Sequence, residues 1–237
     1  MPAPEHTSSA PARIVLHDVS VTLDARRILE DVSLEVDAHR IAVIGANGSG
    51  KSTFARLLNG LVKPSSGSVH VHGVDAVARP AEARHRVGFV FSSPDAQILM
   101  PTVAEDVALS LNRSGLDRAD VTRRVEQTLA AYGLIEHADA PAYTLSGGQK
   151  QLLALASVLV RRPHLLVADE PTTLLDRGNA RRVGNILIDE LPMQVVIVTH
   201  DLELARRCDV AVLFDRGRVQ AVGAADEIIG GYERMFV

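Results

Sequence analysis

At 237 residues, 46% apolar and only 3% aromatic, the chain is long enough to bury a large aliphatic core, as one domain or one domain with a subdomain. A formal charge of −4 gives no electrostatic case for nucleic acid, and one cysteine, Cys208, excludes an internal disulfide and fits a reducing compartment. No stretch reaches the roughly 18 apolar residues of a membrane span; the run from Leu152 to Val160 stops at Arg161 and Arg162.

In chain order, residues 1–12 are rich in Pro, Ala and Ser and have no apolar h-region. They predict a disordered leader and no signal peptide. Val19, Val21 and Leu23 alternate with Ser20 and Thr22; Val32, Leu34 and Val36 alternate with Ser33 and Glu35. That is the period of two half-buried strands, with a turn near Asp24 and Ala25. Ile41 to Ile44 is a short unbroken apolar run, as in a strand buried on both faces. A helix should follow the next loop as far as Asn59, stopped by Gly60. A turn and strand are then expected within residues 65–73, and another strand at 86–91. His70 and His72 read as a solvated strand face rather than a metal site, since no further ligand lies at helpful spacing.

After Pro94 the texture changes. Thr102 and Glu105 have the spacing of a capping box, and Val121, Val125 and Leu129 fall at helical spacing ahead of Gly133. Residues of about 93 to 160 therefore predict a mostly helical subdomain inserted between strands. Strands return before Asp169, Thr199 and Phe214, separated by helical segments, and the turn at Asp215–Arg218 leads into a last one. Strands alternating with helices predict an α/β fold with a mostly parallel sheet.

Gly45-Ala46-Asn47-Gly48-Ser49-Gly50-Lys51-Ser52 matches the phosphate-loop pattern, with a buried strand before it and a helix after it, whose start at Thr53 is also expected at the nucleotide. The glycines let the backbone close on a polyphosphate, and the amides and helix start direct positive charge at it. Lys51 is expected on the β- and γ-phosphates, and Ser52 on Mg²⁺. Asp169 and Glu170 end a buried strand, where carboxylates face the ligand crevice of an open α/β sheet. Asp169 suits the hold on Mg²⁺, and Glu170 the polarisation of the attacking water. His200 ends another strand, within reach of a γ-phosphate. A second phosphate-like element follows at Ser146-Gly147-Gly148-Gln149, where Ser146 is a natural N-cap and the glycines free the amides of a helix start. Since the first site already has a lysine and metal ligands, the second is expected to meet the nucleotide of another subunit, two chains sharing an isologous interface.

The ordered set GANGSGKS, LSGGQ, LLVADE, LLD (Leu174–Asp176) and VTHD resembles the ATPase subunit of an ABC transporter over almost the whole chain after the leader, residues 13–237. That resemblance implies a P-loop NTPase with a RecA-like core, an N-terminal antiparallel β-subdomain and the helical insertion. It implies ATP-driven closure of a homodimer or paralogous heterodimer, with Ser146, Gly147 and Gly148 acting in trans and Asp176 at the dimer interface. Pro94-Asp95-Ala96-Gln97 followed by MPTVAEDVA is similar to the energy-coupling-factor type, the vitamin and metal-ion importers, with local likeness to the biotin importers. This implies a short helix carrying Pro94, Asp95 and Gln97 that docks on a transmembrane coupling subunit, beside a substrate-binding membrane subunit. The expected location is the cytoplasmic face of the membrane. A cobalt or nickel importer, and a soluble ABC ATPase such as one of iron–sulfur assembly, stay open as alternatives. Two positions depart from the pattern. Ser92 stands where the family has a glutamine that reaches the metal, and Leu23 where an aromatic stacks on adenine.

Overall fold

The computed structural model describes residues 13–112 and 114–235; the leader expected at 1–12 lies outside the described residues. Strands β1 (Ile14–Leu23) and β2 (Arg26–Val36) pair antiparallel, with Leu23 opposite Arg26. Asp24 and Ala25 make the connection with φ of 47° and 63°, the pair of positive values that a two-residue hairpin with native twist demands. The next strand, β3 (Arg40–Ile44), belongs to a different sheet. Helix α1 (Lys51–Leu58) follows it and ends at Asn59 and Gly60, the latter at φ 67°. Strand β4 (Ser66–Val71) then pairs with the free side of β1, and the short β5 (Val74–Asp75) completes the antiparallel order β2-β1-β4-β5.

Helix α2 (Pro80–Arg86), which periodicity did not reveal, opens on Pro80 and leads into β6 (Val87–Val90). The helical insertion comes next: α3 (Val103–Leu109), α4 (Arg118–Ala131) and α5 (Gly147–Leu159). Thr102 caps α3 through the reciprocal box with Glu105, so two of the orphan amides at that helix start are satisfied by side chains. Strand β7 (Leu165–Asp169), helix α6 (Arg177–Asn185), β8 (Gln194–Val198), α7 (Leu202–Arg206), β9 (Val210–Asp215), β10 (Arg218–Ala224) and α8 (Ala225–Arg234) complete the chain.

The six-stranded sheet runs β10-β9-β3-β8-β7-β6 and is parallel except for β10. Every residue of β3, β7 and β8 is buried, because cores lie on both faces. Ile41 and Val43 pack toward the antiparallel sheet and α1, whereas Ala42 and Ile44 pack toward the helices. This two-sided burial is why these strands read as unbroken apolar runs. One face is unusually tight. A Cβ on Gly88 of β6 would come within 2.4 Å of Val158 Cγ1, so α5 rests directly on bare strand backbone.

Two buried polar side chains fix the layers. His72 is not on a solvated face, as expected, but buried, its Nε2 2.7 Å from Gln194 Oε1 at the start of β8. It fastens the antiparallel sheet to the parallel one, and burial depresses its pKa. Arg40 is buried at the start of β3 and donates to the carbonyls of Ile188 (2.9 Å), Met193 (2.9 Å) and Leu191. Those carbonyls belong to a π-helical turn, Ile186–Glu190, and the residues just after it, where backbone acceptors lose their in-helix partners. Cys208 is buried and its thiol is pushed up to about 12 by desolvation; it packs as a small hydrophobe.

Candidate functional site

The carboxyl ends of the parallel strands β3, β7, β8 and β9 lie along one edge of the sheet, and the sequence-derived candidates collect there. β3 runs into the loop Gly45–Gly50. Gly45, Gly48 and Gly50 have φ of 139°, 78° and 103°. At Gly45 a Cβ would lie 2.1 Å from the carbonyl oxygen of Phe214; only glycine lets the loop back onto β9. The loop is braced from behind: Gly217 N donates to Ser49 O (3.0 Å), and Gly217 O accepts from Glu30 N (2.9 Å). Ala46, Asn47 and Gly48 are exposed at the tip, and Thr53 is half-buried in the first turn of α1.

Lys51 is buried, and its ammonium donates to the carbonyls of Gly45 (2.7 Å) and Ala46 (2.9 Å). Desolvation lowers its pKa, against the opposing pull of Glu170 and Asp169. Ser49 Oγ is buried without a hydrogen-bond partner. A buried cation hydrogen-bonded to two backbone carbonyls, beside an orphaned hydroxyl, is a site suited to an anion.

Ser52 Oγ donates to Asp169 Oδ1 at 3.0 Å. Asp169 is buried, and desolvation raises its pKa while the Ser52 hydroxyl opposes the rise. A hydroxyl and a carboxylate at hydrogen-bond distance form an all-oxygen donor set of the kind Mg²⁺ takes, alongside phosphate oxygens. Among the described residues no cluster of three His, Cys, Asp or Glu side chains suits a metal held by protein alone.

Glu170 follows β7 at φ 53°, a left-handed conformation costly for a residue with a Cβ. Its amide donates to Val198 O (2.8 Å). Its Oε2 accepts from Thr173 Oγ1 (3.1 Å) and lies 2.7 Å from His200 Nδ1. His200, one residue past Thr199, is exposed. Two neighbouring strand ends are thus joined by a carboxylate–imidazole pair.

The second glycine element starts α5. Ser146 caps the helix, accepting from Gln149 N (3.3 Å), and Gln149 Oε1 accepts from Ser146 N (2.9 Å). Gln149 Nε2 lies 2.9 Å from His137 Nε2. Ser146 and Gly147 are exposed, and a Cβ on Gly147 would meet open space. Gly148 differs: its Cβ would come within 2.3 to 2.5 Å of the Asn179 carboxamide. Asn179 in turn holds Asp176, donating from its backbone N (2.9 Å) and from Nδ2 (2.6 Å). The amide of Asn179 is the leading cause of the lowered Asp176 pKa. Among the described residues no hydrogen bond joins the 146–149 turn to the 45–52 loop.

The segment after β6 is a short 3-10 helix of one turn, Pro94–Ala96. Asp95 is exposed and pairs with Lys150 (2.6 Å). Gln97, expected on a docking surface, is turned inward: Oε1 accepts from Phe91 N (3.1 Å), and Nε2 donates to Ala154 O (3.1 Å). Beside this segment a recess of about 320 Å³ is lined in part by Asp95, Ile98, Leu99, Met100 and Lys150. Ser92 is exposed, and Leu23 is exposed at the hairpin end, 45% accessible.

Sequence reasoning missed Thr173, His137 and Asn179. Asn179 stands three residues after Asp176, which reads as routine helix capping; nothing in the pattern sets it against Gly148, thirty-one positions earlier.

A glycine-rich loop between a buried parallel strand and a helix, with acidic residues at the end of a neighbouring strand, defines a P-loop nucleotide hydrolase. The ABC transporter family model matches residues 29–173. The biotin transport ATP-binding protein BioM of Rhizobium etli is 45% identical, over 82% of this chain and 86% of that protein. The energy-coupling factor transporter ATP-binding protein EcfA1 of Symbiobacterium thermophilum is 44% identical, over 82% and 70%. Among solved structures, cbiO1 from Clostridium perfringens, part of the ABC transporter complex cbiONQ, superposes with a TM-score of 0.83 at 29% identity, covering 93% of this chain and 91% of that one. The ATP-binding cassette MJ0796, a dimer bound to ADP and Pi, gives 0.78 at 27% identity, covering 90% and 98%. The chain belongs to the ABC transporter family, as an ATPase subunit of the energy-coupling-factor type.

Proposed function

We propose that this ATPase powers uptake of a vitamin, biotin, through a membrane-embedded energy-coupling-factor transporter. One observation supports the reading: the 45–52 loop gathers with Asp169, Glu170 and His200 at one sheet edge, while among the described residues no hydrogen bond ties that group to the capped glycine turn at 146–149. Two protomers arranged head to tail, as a homodimer or with a paralogue, would each supply the turn that the other's nucleotide lacks.

In this reading the loop amides from Gly45 to Thr53 and the Lys51 ammonium bind the ATP phosphates, and Leu23 packs on the base. Ser52 and Asp169 hold Mg²⁺, which when bound neutralises charge on the phosphate oxygens. Glu170 Oε2 orients a water and accepts its proton as the water oxygen bonds to the γ-phosphorus and the bond to the β–γ bridging oxygen breaks. His200 holds Glu170 in place and reaches the γ-phosphate. Ser146, Gly147, Gly148 and Gln149 receive that phosphate from the partner's side, and Asp176 lines the interface. Most of the catalysis is orientation, which can contribute about 7–11 kcal/mol.

No helix among the described residues is long and apolar enough to cross a membrane. The membrane is therefore reached through partners: a transmembrane coupling subunit that docks at Pro94, Asp95 and the adjoining recess, with Gln97 bracing that segment from within, and a substrate-binding membrane subunit. The chain works at the cytoplasmic face. Likeness to BioM supports biotin as the solute. Labelled biotin should accumulate in cells or vesicles carrying the assembled complex, and not when this subunit is Glu170→Gln. Biotin uptake indifferent to that substitution would refute the assignment.

A further inference from the structure

We propose that Asn179 is a positioning residue that locks the loop carrying Asp176 to the glycine turn at Gly148, so that both meet a partner's nucleotide as one unit. The inference deepens the proposed dimeric site and rests on that reading.

Three contacts meet at one residue. Asn179 Nδ2 donates to Asp176 Oδ2 at 2.6 Å, and Asn179 N donates to Asp176 Oδ1 at 2.9 Å. On its other side the carboxamide fills the volume where a Gly148 side chain would stand, with atoms 2.3 to 2.5 Å from an ideal Cβ. Gly148 is buried, whereas Ser146, Gly147 and Asp176 around it are exposed. The exposed residues are the ones free to touch another chain; the buried glycine and Asn179 set their separation.

The two glycines thus differ in kind. At Gly147 the lack of a side chain leaves the surface open toward an incoming phosphate. At Gly148 it admits Asn179 from α6. Without that insertion, α5 and the Asp176 loop would be free to shift relative to one another. A displacement of about 1 Å at a phosphate-binding element can reduce turnover on the order of 100-fold. Asn179 itself needs no contact with nucleotide.

The test compares Asn179→Ala, Asn179→Asp, Gly148→Ala and the pair Gly148→Ala/Asn179→Ala, with Ser146→Ala as reference. Three quantities are read: affinity of the single chain for a fluorescent ATP analogue, ATP-dependent dimerisation in the Glu170→Gln background, and kcat and KM of the assembled transporter. Melting temperature checks that each variant folds. Expected are analogue binding within about twofold of native and a dimer weakened about tenfold or more for Asn179→Ala and Asn179→Asp, with the loss in kcat rather than KM. Asn179→Asp keeps the shape that fills the Gly148 space but replaces the donor with a carboxylate facing Asp176. Gly148→Ala should be the most damaging single change. Adding Asn179→Ala should recover about fivefold, since the smaller side chain makes room for the new methyl. Asn179 variants that dimerise and turn over like the native chain, or a pair whose loss equals the product of its singles, overturn the proposal while a defective Ser146→Ala leaves the dimer reading standing. If Ser146→Ala also dimerises normally, both fall together.

Discussion

His200 Nδ1 lies 2.7 Å from Glu170 Oε2, so the imidazole after β8 orients the carboxylate after β7. The strand pairing of β7 with β8 sets this separation, and the left-handed backbone of Glu170, φ 53°, turns the carboxylate toward its neighbour. Glu170→Gln removes the proton acceptor and keeps the shape. Turnover should fall about 10²- to 10⁴-fold while ATP is still bound and the closed dimer accumulates. His200→Ala frees the carboxylate and should cost about 10- to 100-fold in kcat. Single-turnover hydrolysis with purified complex measures both; normal turnover by Glu170→Gln removes it as the base.

Asp169 carries a price of a different kind. Burial raises its pKa, so the fold disfavours the ionised form. A raised carboxylate pKa means that stability is fully present below the ordinary unfolded value and declines as pH rises through the folded one. Asp169→Asn should therefore melt higher than the native chain near neutral pH, with the gap closing as pH drops into the ordinary carboxylate range. Its ATPase activity should be lost throughout. Calorimetry across that range, without nucleotide, decides; a gap that widens toward acid contradicts the assignment.

Much of this was legible in the residues. The phosphate loop, the capping box at Thr102, the N-cap at Ser146, and the buried strands running into Asp169 and Thr199 all depend on local chemistry or short-range period. What escaped depends on distant partners. His72 looked solvated because alternation in β4 cannot reveal that Gln194, over a hundred residues later, meets it from the second sheet. Gln97 looked outward because nothing nearby shows that Ala154 O and Phe91 N take both ends of its amide. Asn179 was hidden in the same way.

Ser92, expected at the family's glutamine position, is exposed. A serine reaches a metal only through a bridging water. Ser92→Gln should raise the ATPase rate of the assembled transporter several-fold, with little change in the isolated chain. Steady-state assays with and without the membrane subunits address this; a slower or unchanged assembled variant would count against weakened coupling at Ser92.

Arg40 supports the fold rather than the chemistry. Replacing it with Met leaves the carbonyls of Ile188, Leu191 and Met193 without their buried donor. The loss should be about 3 kcal/mol or more, lowering the melting temperature by roughly 10 °C in a chain of this size. The folded fraction should bind nucleotide as before. A melting point within a degree or two of native would show that water replaces the guanidinium.

Gly88 gives the molecule an adjustable shim. With no methyl on β6, Val158 touches the strand itself, and the height of α5 above the sheet is the thickness of one backbone. An alanine there would jack that helix outward and swing its far tip, Ser146, away from its resting angle. Natural variation at this single small residue could thus retune how readily two cassettes clasp, leaving every reacting group in its own chain untouched.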